Sequence, residues 1–86
     1  MAKKSKFEIE VIDKVKELRL KKKLTQDDIA MFLNASRGFI GQIESQDSAS
    51  KYNLNHLNKL AQEMGCSPKD FIPEKTLTES KGRKKN

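Results

Sequence analysis

The sequence predicts an all-α fold: five helices around one small core. Three observations carry this. Apolar residues recur at spacings of three and four, the period that lines up one helical face. Helix start and stop signals bracket those stretches, among them Thr25, Ser36, Gly65 and Pro68. Finally, 86 residues of which 35% are hydrophobic allow only one compact domain, and helices build such a core from local contacts.

Residues 1–7 read as a flexible basic arm. The first helix is expected from Glu8 to about Lys22, with Val11, Ile12, Val15 and Leu18 as its stripe. The second is expected from Gln26 to Leu33, capped by Thr25 with Asp28 in the capping-box place. Asp27 and Asp28 sit in its first turn, where the helix dipole favours negative charge. Asn34-Ala35-Ser36 forms the turn, Asn34 suiting the left-handed backbone that ends a helix. The third helix is expected from Arg37 to Gln46, with Ser36 as its cap. Ile29, Ala30 and Leu33 on one helix and Phe39, Ile40 and Ile43 on the next supply a shared seam. The polar stretch 45–52 reads as a surface loop. A fourth helix follows from about Asn53 to Met64, carrying Leu54, Leu57, Leu60, Ala61 and Met64 on one face and ended by Gly65. Ser67, Pro68 and Asp70 start a short fifth, which Pro73 stops. Residues 8–73 thus form the domain, and 74–86 read as a disordered basic tail.

A short helix, a three-residue turn and a second apolar helix make a helix-turn-helix. Leu24, Thr25, Gln26, Ile29, Ala30, Leu33, Ser36, Ile40, Ile43 and Glu44 follow the pattern LTQ-x-x-LA, turn, S-x-x-x-I-s-x-I-E. In these residues the chain resembles the phage-repressor-like helix-turn-helix family (XRE type, similar to lambda repressor and Cro), over about two-thirds of its length. After Glu44 it departs from the family's E-x-G and short Pro-containing loop: there is no Gly, and the loop is about two residues longer.

The resemblance implies a five-helix, lambda-repressor-like bundle that binds double-stranded DNA in a sequence-specific way and regulates transcription. It implies that Arg19 pairs with Glu44 to fix the helices, and that Gln26 touches the DNA backbone. The third helix would then enter the major groove. With Phe39, Ile40 and Ile43 turned inward, Arg37, Gly38, Gly41, Gln42 and Ser45 remain outside, beside Ser36 at the start. Arg pairs bidentately with guanine and Gln with adenine. Gly38 and Gly41 are read either as places of close backbone approach or as tolerated weak spots, each costing roughly 1 kcal/mol against Ala. Lys51 in the loop is the remaining candidate contact. Lys21, Lys22 and Lys23 are read either as a solvated helix end or as phosphate contacts. Family members often bind as dimers, so a homodimer is the implied protein partner, although the sequence marks no dimer surface.

Net charge is +6, which favours a polyanionic partner. Its distribution is uneven. Residues 1–24 carry nine Lys/Arg and four Asp/Glu, a net +5. Residues 25–72 carry four against six, a net −2, and residues 73–86 five against two, a net +3. The motif, rather than the charge, carries the DNA reading. A protein-interaction module on the same fold, such as an antitoxin, is the alternative. RNA binding is weaker, since stacking aromatics on a sheet are wanting.

An enzyme is the least favoured class. His56 and Cys66 are single and ten residues apart, which is no metal pattern, and no glycine loop cradles phosphate. Neither a cofactor nor a small-molecule domain is expected. One cysteine and the lack of a signal-peptide core or apolar span lead to the expectation of a cytoplasmic protein without a membrane anchor.

Overall fold

The structure, a computed structural model, describes residues 3–79. These residues are all-helical: α1 (Lys6–Lys21), α2 (Gln26–Leu33), α3 (Arg37–Glu44), α4 (Leu54–Met64) and a four-residue 3-10 helix, Pro68–Phe71. Four α-helices and a 3-10 turn thus replace the five helices expected. The last piece is tight because Ser67 and Asp70 cap its start while Ile72 N–H already bonds Lys69 at 3.1 Å, leaving no room for an α turn.

α1 begins at Lys6, ahead of the predicted Glu8. Ser5 and Glu8 form a capping box: Ser5 Oγ accepts from Glu8 N–H at 3.0 Å and Glu8 Oε1 from Ser5 N–H at 2.8 Å. The expected flexible arm is therefore shortened, and Lys4 is buried. At the other end, the Glu79 carboxylate accepts from Lys6 N–H at 2.8 Å and Phe7 N–H at 3.1 Å. It satisfies two of the donors that a helix start leaves free. The stretch 74–79 of the expected disordered tail is thereby fastened to α1. Residues 1–2 and 80–86 lie outside the described part of the chain.

Three helices end in the same way. The N–H of Leu24 bonds Arg19 at 2.8 Å, that of Ala35 bonds Ala30 at 2.9 Å, and that of Cys66 bonds Ala61 at 2.9 Å. Each spans six residues around one left-handed residue: Lys23 (φ 61), Asn34 (φ 55) and Gly65 (φ 72). This is the Schellman closure. Gly65 adopts it freely and Asn34 with little strain. For Lys23 the left-handed backbone costs roughly 1–2 kcal/mol.

The core joins every element. Val11, Ile12 and Val15 come from α1, Ile29 and Ala30 from α2, and Ile40 and Ile43 from α3. Leu57, Leu60, Ala61 and Met64 come from α4, with Tyr52 and Phe71 closing the ends. α2 packs on both α3 and α4, and α1 reaches α3 and the 3-10 helix. The β-branched residues at the centre are wholly buried, which holds α2 and α3 as one rigid corner.

Candidate nucleic-acid interface

The α2–turn–α3 corner is locked by a buried polar network. Arg19 Nε donates to Glu44 Oε2 at 2.9 Å and its Nη2 to Glu44 Oε1 at 3.0 Å. The remaining Nη1 donates to Leu24 O at 2.9 Å. The two side chains are only 9% and 5% exposed. Gln26 Nε2 adds a third donor to Glu44, 3.0 Å from Oε1. A buried carboxylate needs such neighbours, because stripping its water is otherwise costly. The expected Arg19–Glu44 pair is therefore present. Gln26, expected to touch the DNA backbone, gives one amide N–H to Glu44.

Lys4 completes the other end of α3. Its Nζ donates to the carbonyls of Gln42 at 3.3 Å, Ile43 at 2.6 Å and Ser45. A cation there meets the negative end of the helix dipole and three carbonyls at the helix end, of which that of Ile43 is buried. Burial pushes the Lys4 ammonium below its usual pKa, while Glu8 opposes and Lys51 adds to the effect. Sequence reasoning missed this residue. Its partners are backbone oxygens about forty positions away, which no local pattern announces.

α3 turns Ile40 and Ile43 fully inward and Phe39 partly. Ser36, Arg37, Gly38 and Gln42 are exposed, and Gly41 and Ser45 are half-buried. Ser36 Oγ caps the helix, accepting from Phe39 N–H at 3.0 Å. Arg37 Nε lies 3.9 Å from Asp27 Oδ1, both largely in solvent. Gln42 Oε1 accepts from Ser50 Oγ at 3.3 Å, tying the loop to α3. Helix α3 stops at Glu44, short of the predicted Gln46. Ser45 takes an extended backbone there (φ −89°, ψ 130°), and its Oγ accepts from Asp47 N–H at 3.2 Å. Lys51 reaches back to Glu8, Nζ to Oε2 at 2.7 Å. That bond and the Ser5 N–H hold the Glu8 carboxyl below its usual range. Lys51 thus pairs at the start of α1, whereas Arg37 pairs with the start of α2.

Neither glycine of α3 is demanded by packing. A β-carbon on Gly38 would meet only Ser36 Oγ at 4.0 Å, and one on Gly41 only Gln26 Oε1 at 3.8 Å. Both are ordinary contacts. The second also shows that α2's first residue lies against the middle of α3.

The loop returns through Tyr52, whose buried hydroxyl has no hydrogen-bond partner among the described residues. Burial holds this phenol far above its usual pKa, Glu44 adding and Arg19 opposing. His56 stands edge-on to both Phe39 and Tyr52, with ring centroids 6.0 and 6.1 Å away. Its Nδ1 accepts from Asn53 N–H at 3.1 Å, so it is a capping and packing residue. Cys66 is half-buried and unpaired, its thiol pushed up by burial and by Asp70, with Lys22 opposing.

Among the described residues no group of three or more His, Cys, Asp or Glu is placed to hold a metal, and no helix is long and apolar enough to cross a membrane. No family model, curated protein or solved structure matches the chain.

Proposed function

We propose that α2, the Asn34–Ser36 turn and α3 act as a helix-turn-helix of a five-element, lambda-repressor-like bundle, and that the chain is a sequence-specific transcriptional regulator of double-stranded DNA. The observation that carries this reading is the locked corner. Arg19, Glu44 and Gln26 brace α3 from beneath while Arg37, Gly38 and Gln42 stand on its outer side. A groove-reading helix needs both a rigid seat and free polar side chains. The resemblance of Leu24–Glu44 to the repressor-like pattern supports it further. Ser36, Gly41 and Ser45 complete the surface. Lys51 and Gln26 contribute DNA-backbone contacts, since each keeps N–H groups beyond the one given to Glu8 or Glu44. The protein acts in the cytoplasm as a homodimer on two half-sites about one turn, ~34 Å, apart.

Selection from a randomised duplex pool tests this. A recurring motif, bound more tightly than scrambled DNA at physiological salt, is the expected result. Equal binding to all sequences, or none, overturns it. The second reading, a protein-interaction module of the antitoxin kind, is favoured by the exposure of Leu54 (81%) and Met31 (68%). It predicts a stable complex with a second protein and no selected DNA motif.

A further inference from the structure

Gln42 is held twice, and both holds run back to the start of α1. Its carbonyl accepts from Lys4 Nζ at 3.3 Å as well as from Ser45 N–H at 3.1 Å. Its side-chain Oε1 accepts from Ser50 Oγ at 3.3 Å. Ser50 precedes Lys51, whose Nζ is fixed on Glu8 Oε2 at 2.7 Å. Lys4 and Glu8 are tied to each other as well, since Ser5 N–H donates to Glu8 Oε1 at 2.8 Å. One short segment, residues 4–8, therefore grips both ends of the 45–51 loop.

The hold on the main chain also marks where α3 stops. In a longer helix the Ile43 carbonyl would accept from the N–H of Asp47, four residues on. That N–H bonds Ser45 Oγ at 3.2 Å instead, and Lys4 Nζ donates to the Ile43 carbonyl at 2.6 Å. Lys4 bonds the Ser45 carbonyl too. An ammonium, 4% exposed with its residue, thus takes the place of a backbone donor. Helix ends are commonly closed by local groups or by water. A closure supplied from α1 does more, because it fixes the end of α3 against another helix.

This bears on the outer face of α3. The buried isoleucines hold the helix as a body, but an exposed side chain is held only by what bonds it. Arg37 has the solvent-exposed Asp27 at 3.9 Å. Gln42 has the loop, and the loop is fastened to α1. A side chain whose rotamer is fixed beforehand loses less freedom when it meets a partner.

Resting on the DNA reading above, we infer that Lys4 and Glu8 are positioning residues for sequence recognition. They touch no base. They fix the end of α3 and the loop bonded to Gln42, and so set the base preference at the pair that Gln42 meets.

Full-length variants binding to single-base variants of the selected operator test this, at a temperature where dichroism shows every protein folded. Gln42→Ala identifies the pair. Lys4→Met removes the donor to the α3 carbonyls. Glu8→Gln keeps the capping box but loses the ion pair with Lys51. Both change net charge, which acts on all duplexes alike, so the ratio between bases is the readout. In each, the preference at the Gln42-dependent pair should shrink about fivefold, the lower end of what one contact to a base contributes. The preference at the pair that depends on Arg37 should stay. Two controls should keep every preference: Lys3→Met, with the same charge change as Lys4→Met, and Phe71→Leu, which loosens a 3-10 helix packed on α1 and α4. Wild-type preferences in Lys4→Met or in Glu8→Gln overturn the positioning role and leave the DNA reading intact. The same loss in either control does so too, since charge or instability alone would then act. Gln42→Ala with every preference unchanged also overturns it. A wild-type protein that selects no motif overturns both.

Discussion

Arg19 and Glu44 meet through two parallel hydrogen bonds of 2.9 and 3.0 Å, out of contact with most solvent. The fork geometry matches a carboxylate on both oxygens. One bond from Gln26 to Glu44 and one from Arg19 to Leu24 O extend the network. Each partner alone would be a stranded charge. Arg19→Ala or Glu44→Ala should therefore cost ~3–5 kcal/mol. The double variant should cost much less than the sum, as members of one network do. Thermal or urea melts of the three proteins measure the coupling, and strictly additive losses would show that the pair does not act as a unit.

Lys4 should matter to folding although it lies in a basic run near the chain start. Its ammonium closes α3 by bonding three carbonyls. Lys4→Met keeps the stem and removes the donor, leaving the buried Ile43 carbonyl without it. A loss of ~1.5–3 kcal/mol is expected, the range for hydrogen bonds to a charged group. Lys3→Met, one residue earlier and exposed, should be silent. Equal stability of the two variants would disprove the clasp.

Much of this is legible in the sequence, and the rest is hidden for identifiable reasons. Thr25 with Asp28 and Ser36 with the Phe39 N–H are local signals, readable because cap and partner lie three apart. The stripes of α1, α3 and α4 are likewise set by spacing. The Ser5–Glu8 box is equally local, but the surrounding lysines disguise it as part of an arm. Lys4 and Glu79 cannot be read locally, since their partners are backbone groups across the fold. The bond from Gln26 to Glu44 cannot be read from the motif, because it joins residues 18 apart on different helices. The proposed DNA surface is legible only as far as the resemblance goes: exposure of Arg37 follows from the stripe, its use does not.

The α3 glycines yield a prediction in which stability and binding diverge. Both sites accept a β-carbon without a clash. Gly38→Ala and Gly41→Ala should each raise stability by about 1 kcal/mol through helix propensity. If the bare backbone is there for close approach to DNA, the same variants should bind a selected operator more weakly. Gain of stability with undiminished binding would make the glycines mere weak spots.

Tyr52 is the chain's single tyrosine, and there is no tryptophan, so phenolate absorbance reports it alone. Its folded pKa is raised above the unfolded value of 10.0 by burial. The unfolded chain then releases the proton first. Stability is thus unaffected below about pH 10 and falls as pH rises beyond it. Phenolate absorbance should appear together with loss of helical dichroism. Tyr52→Phe should remove this alkaline sensitivity and, by deleting an unpartnered hydroxyl, cost little or nothing at about pH 7. A free titration near pH 10 with the helices intact would contradict the buried environment.

Arg37 and Gln42 test the reading surface itself. Arg37 stands in the first turn of α3, the end that meets base edges in helix-turn-helix proteins. Its only ionic neighbour among the described residues, Asp27 at 3.9 Å, is exposed, and such a pair is weak enough to yield to a guanine. Arg37→Ala should lose ~1–3 kcal/mol on a selected operator and relax preference at one base pair per half-site. Gln42→Ala must first give up the Ser50 hydrogen bond, so its effect should be smaller and confined to a neighbouring pair. Asp27→Asn, which frees Arg37 and removes a negative charge, should tighten binding to every duplex while leaving the order of preferred sequences unchanged. Neither Arg37→Ala nor Gln42→Ala should alter the melting curve, because both side chains are exposed. Competition binding against single-base operator variants, after a dichroism check, decides the matter. Wild-type preference in both variants would remove α3's outer face from sequence recognition.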